Sequence, residues 1–176
     1  SQALQGSQII SPALAGLLLI VLLAVESTWS SDFQEFAAVR YLISIAGMLV
    51  GGLVWSGMWA FAGRLFGGHA RLGRHLFIFG CGLLALQIWG LLSTVAAYAY
   101  SLEFLTRFSP LAEIGISAGV VFFHLLTINP HHPRRLATSS LMLAALGCGF
   151  VLMNNYQHTG RLGEDLYMNT LLPPAF

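Results

Sequence analysis

The stretch Leu76–Tyr100, LFIFGCGLLALQIWGLLSTVAAYAY, contains no charged residue and no proline. A helix rises 1.5 Å per residue, so about 20 mostly apolar residues cross the roughly 30 Å hydrocarbon core of a bilayer. This run is long enough. It lacks the dyad alternation of a barrel strand and is about twice as long as the roughly 10 residues such a strand needs. A backbone in lipid has to satisfy its own hydrogen bonds, which leaves a transmembrane helix.

Further apolar runs flank it on both sides. Ile9–Val25 comes first, with Pro12 tolerable in an opening turn. Glu26–Glu35 is polar, and within it Asp32 and Glu35 have the capping-box spacing that opens a helix. The next run extends from Phe36 to Phe66, with Tyr41–Gly63 as its membrane part once Arg40 is placed at the interface. Leu111–Ile128 and Leu136–Met153 follow, and a polar tail closes the chain. The expected fold is all-α: a single polytopic bundle of five transmembrane helices spanning about 9–25, 41–63, 76–100, 111–128 and 136–153. The polar, uncharged start Ser1–Gln8 has no initiating methionine. It reads as a trimmed chain or a fragment, without a cleaved signal peptide.

Composition points the same way. Of 176 residues 56% are hydrophobic and 9% charged, whereas about a quarter are charged in a typical soluble domain. All basic residues are arginine, and their distribution sets an orientation. Arg64, Arg71 and Arg74 fall between spans two and three, and Arg134 and Arg135 between spans four and five. All seven acidic residues fall on the opposite side, with Arg40, Arg107 and Arg161. The positive-inside rule then predicts a cytoplasmic N-terminus and a periplasmic or lumenal C-terminus. Trp29, Tyr98, Tyr100, Phe104 and Tyr156 are expected at the outer interface, while Trp55, Trp59 and Trp89 fall within spans.

Small residues mark candidate helix seams. Gly52, Ser56 and Ala60 recur every four residues on span two, beside Gly47 and Gly51; span four has Gly115 and Gly119, and span five Ala145 and Gly149. Such positions let backbones approach closely where no hydrophobic force distinguishes helix from lipid. They serve either packing within the bundle or the docking of a partner helix, with span two the best docking candidate.

Residues that carry chemistry are sparse. No carboxylate falls near mid-membrane; Glu113 is close to the outer end of span four, within reach of Arg107. A proton or ion pathway requires a deeper series of such groups. His75 and His124 are expected at similar depth on antiparallel neighbours, the arrangement that could hold a haem or a metal axially; the simpler reading is hydrogen-bonding histidines. His131 and His132, beside Pro130, Pro133 and the arginines, read as a helix-joining loop facing headgroups. Cys81 and Cys148 read as small buried side chains. No nucleophile–base set or metal-ligand spacing is present, so no catalytic residue, cofactor or metal is expected. The bilayer and other membrane subunits are the expected partners; nucleic acid is not.

The loop Ala62-Gly63-Arg64-Leu65-Phe66-Gly67-Gly68-His69-Ala70-Arg71-Leu72 resembles the glycine-pair loop of Yip-type membrane domains. The likeness covers residues 36–155, and those domains share the plan of five helices with a cytoplasmic N-terminus. The chain is also similar to the multi-helix region of bacterial membrane proteins that carry a forkhead-associated domain ahead of it. Either resemblance implies a membrane scaffold or adaptor with no catalytic residues to carry over. The expected function is a non-enzymatic anchor, scaffold or subunit of a bacterial inner-membrane assembly. The alternatives are an electron carrier using His75 and His124, or a transporter of an uncharged or lipid substrate.

Overall fold

The computed structural model describes residues 11–31 and 37–169, with side chains as far as Gln157. Its elements are α1 (Pro12–Ser31), α2 (Ala38–Gly67), α3 (Leu72–Tyr100), α4 (Glu103–Ile128) and α5 (Pro133–Asn169). Among the described residues there is no strand. Each helix is long and apolar enough to cross a membrane, α5 over Pro133–Gln157.

The helices outrun the apolar runs. α1 continues past Val25 through Glu26 to Ser31, and α4 starts at Glu103 and passes through Pro110. Proline removes one backbone donor and clashes with the preceding turn, yet α4 continues across it. α5 carries on beyond Met153 as far as Asn169, where the sequence suggests only a polar tail. No proline interrupts it before Pro173. α2 opens with Ala37 as its N-cap and no side-chain cap; Asp32 and Glu35 lie outside the described residues.

Short connections make successive helices antiparallel neighbours. α2 ends at Gly68 in the left-handed conformation, φ 72°, which glycine adopts without a Cβ penalty. Gly67 is needed for space instead, since a Cβ there would lie 2.7 Å from the Ile128 carbonyl oxygen at the end of α4. α3 ends at Ser101, φ 51°, whose N–H donates to the Ala97 carbonyl.

Among the described residues α1 packs on α2 and α3, α2 also on α3 and α4, and α3 on α4; α5 packs on α4 alone. The backbones of α1 and α3 approach closely. A Cβ on Gly16 would fall 2.7 Å from backbone atoms of Leu76 and Phe77, and one on Gly80 would lie 3.2 Å from the Gly16 carbonyl oxygen.

The polarity of the bundle is inverted relative to a soluble domain. Its largest fully buried side chains are Ile20, His75, His124 and Ser56. Large apolar residues point outward instead, among them Phe66 at 84% exposed and Leu146 at 73%. Soluble monomers rarely leave such extensive apolar surface uncovered. The five aromatic residues expected at one interface, Trp29, Tyr98, Tyr100, Phe104 and Tyr156, are all exposed.

Candidate functional site

A cluster of four rings joins α2, α3 and α4. The first turn of α3 carries His75 inward, and the last turn of α4 does the same for His124, one turn before Ile128. Both are buried, at 1% and 0% exposed. Their Nδ1 atoms are 2.8 Å apart. From α2, Trp55 Nε1–H donates to His124 Nε2 at 3.1 Å. Trp59, one turn further along, stacks on the His124 ring at 5.0 Å between centroids and 6° between planes. His75 lies against His124 at 5.1 Å and 26°.

These contacts determine the tautomers. Indole nitrogen only donates, so His124 Nε2 accepts and its ring proton sits on Nδ1. That N–H donates to His75 Nδ1, which leaves the His75 proton on Nε2. A further proton on His75 would set two N–H groups against each other along the Nδ1–Nδ1 line. One on His124 would oppose the Trp55 donor. The chain of donors therefore closes only while both rings are neutral.

In a bis-histidine haem an iron and its macrocycle separate the two ligand rings. Here the rings are one hydrogen bond apart, the arrangement of a pair bonded to each other. Among the described residues no group of three or more His, Cys, Asp or Glu side chains is placed to hold a metal ion. Beside the cluster on α2, Ser56 is wholly buried and its Oγ has no hydrogen-bond partner among the described residues.

The small-residue positions divide. Gly52, Ser56 and Ala60 face into the bundle, and a Cβ on Gly52 would meet Ile20 and the Phe79 ring at 3.0 Å. Among the described residues, nothing outside the helix itself lies within 4 Å of the Cβ position at Gly47, Gly51, Gly115, Gly119 or Gly149. Tight seams that the sequence did not single out include Gly16, Gly73 and Gly80 between α1 and α3, Gly82 against Val120, and Gly147 against Ile114. Trp55 and Trp59 were likewise missed as ring partners; their i, i+4 spacing was the available signal.

The remaining polar groups have local roles. Trp89 Nε1–H donates to Ser109 Oγ at 3.1 Å, and that hydroxyl donates to Glu113 Oε1 at 3.2 Å. Gln87 Nε2–H donates to Glu26 Oε2 at 2.6 Å. His131 and His132 are exposed in the turn before α5. Cys81 and Cys148 are free and half-buried.

No family model, curated protein or solved structure matches the chain.

Proposed function

We propose that this chain is a non-enzymatic multipass membrane protein serving as an anchor or subunit of a larger assembly in a bacterial inner membrane. Its N-terminus is cytoplasmic in this reading, which rests on the arginines in and beside the α2–α3 and α4–α5 connections. The five-helix plan is the one that the Yip-type likeness implies.

The observation that carries the reading is the position of α5. Among the described residues this helix packs on α4 alone. Gly147, facing Ile114, and buried Ser140 lie on its inner side. Leu141, Leu146, Phe150 and Met153 form an exposed apolar outer side. Gly149 on the same helix is open, so another backbone can approach closely there. A partner helix along this side would give α5 the second neighbour that the other helices already have.

The test is photocrosslinking in intact membranes. A crosslinker at Leu146 or Phe150 should yield a discrete adduct with another protein, while one at Ala144, on the side toward α4, should stay intramolecular. Adducts with lipid alone at Leu146 and Phe150, together with a lone chain after mild-detergent extraction, would overturn the subunit reading.

A further inference from the structure

At the arginine-rich end of the bundle a cleft of about 620 Å³ opens between the first turns of α1 and α3 and the last turn of α4. Ligand sites commonly enclose about 300–1,000 Å³. Arg71 and Arg74 line the mouth, and Phe77, Ile78, Phe123 and Leu126 line the body. A second cleft of about 350 Å³ adjoins it across Phe77, Ile78 and Phe123 and continues between α3 and α4 past Cys81, Ala85 and Gly119. Gly119 has nothing within 4 Å of its Cβ position, so the groove remains open there.

We propose that this groove binds one anionic phospholipid, its phosphate held by Arg71 and Arg74 and one acyl chain lying along α3 and α4. The inference is independent of the anchor reading. Dimensions, charge and polarity all favour this occupant. From Arg71 to Ala85 the groove follows fourteen residues of chain, almost all of it in α3, or about 21 Å at 1.5 Å per residue. That exceeds the depth of one leaflet, roughly 15 Å as half of the hydrocarbon core. Guanidinium forks match phosphate oxygens in pairs. Basic pockets between membrane helices hold anionic headgroups by this chemistry.

Among the described residues neither cleft lining contains a carboxylate. The first turns of α1 and α3 flank the mouth with the positive ends of two helix dipoles, against the negative end of one from the last turn of α4. Arg71 is itself the N-cap of α3, with no side-chain cap on the turn below it. At the other end of the bundle, a cleft of about 550 Å³ is lined instead by Glu103 and Glu113. An anionic headgroup is therefore matched to the first cleft and repelled by the second.

Native mass spectrometry of the intact chain in mild detergent tests the proposal, with phosphatidylglycerol and phosphatidylcholine of equal chain length as probes. Both guanidinium groups favour an anionic headgroup, so the wild type should prefer phosphatidylglycerol roughly tenfold or more. Arg71→Gln with Arg74→Gln should abolish that preference, while Arg134→Gln with Arg135→Gln, at the same end but outside the groove, should retain it. Gly119→Leu should weaken retention of a long-chain lipid and spare one with the same headgroup and short chains. Equal retention of both lipids by the wild type would overturn the proposal. So would loss of the preference in both arginine pairs, or no effect of Gly119→Leu on chain-length dependence.

Discussion

His75 and His124 share one hydrogen bond, Nδ1 to Nδ1 at 2.8 Å, though 49 residues separate them in sequence. Trp55 fixes which ring donates, because its indole N–H occupies His124 Nε2. Two helix ends and the middle of a third are thus tied by a single directional chain of donors. Hydrogen bonds between membrane helices are worth about 0.6–2 kcal/mol each, so the tie is modest in energy and specific in register.

Replacing Trp55 by Phe keeps an aromatic ring and removes the donor. His124 Nε2 is then buried without a partner, which costs about 1–3 kcal/mol. The melting temperature in detergent should fall. Trp29→Phe, at an exposed position, should leave it unchanged. Equal melting of the two variants would mean that the indole bond does not hold the cluster.

The glycines separate into positions with and without room. Gly16→Ala places a methyl carbon 2.7 Å from the α3 backbone, and overpacking of this kind typically costs about 1–3 kcal/mol. Gly52→Ile should also lower melting by pushing on Ile20 and Phe79. Gly115→Ala meets nothing within 4 Å and should be neutral or stabilising by up to about 1 kcal/mol, since alanine is the better helix former. Similar melting of Gly16→Ala and Gly115→Ala would show that α1 and α3 are not in backbone contact.

Ser56 offers a test in the opposite direction. Its hydroxyl is buried without a partner among the described residues, so Ser56→Ala removes a polar group that gains nothing. The substitution should leave stability within about 0.5 kcal/mol or raise it, because an unmade buried hydrogen bond costs about 1–3 kcal/mol. A loss of more than about 1 kcal/mol would show that the hydroxyl has a partner, such as an ordered water.

Orientation is tested by impermeant thiol labelling of intact cells, on a chain with Cys81 and Cys148 replaced by serine. Cysteines at Ala70 and Pro133 should be protected and one at Gly160 should react. Labelling confined to the first two positions would invert the orientation.

Helix number was legible because arginine-bearing stretches such as Arg64–Arg74 interrupt otherwise unbroken apolar runs, although α2 and α3 extend into this one from either side. The ends were less so: Glu26 and Pro110 look like stops, yet α1 and α4 run through them. Pairing of His75 with His124 could be anticipated from depth along antiparallel helices. Trp55 and Trp59 share one side of α2 by their i, i+4 spacing, but a helix apolar all round carries no periodic signal for which side faces inward. The same degeneracy conceals the seams. Gly47, Gly16 and Gly115 are equivalent as letters, and only the neighbouring backbone decides that Gly16 is tight and the others open.

Among the described residues α5 has a single interface, and this divides the bundle into two parts. No ring of the histidine–tryptophan cluster belongs to this helix, and neither does any wall of the groove beside Arg71 and Arg74. A chain ending at Ile128 keeps every contact among α1, α2, α3 and α4. Cluster and flank are therefore separable by substitution: changes on the outer side of α5 touch no residue of the rings or the groove, and changes at Trp55 or Arg74 leave the seam of Gly147 against Ile114 as it is.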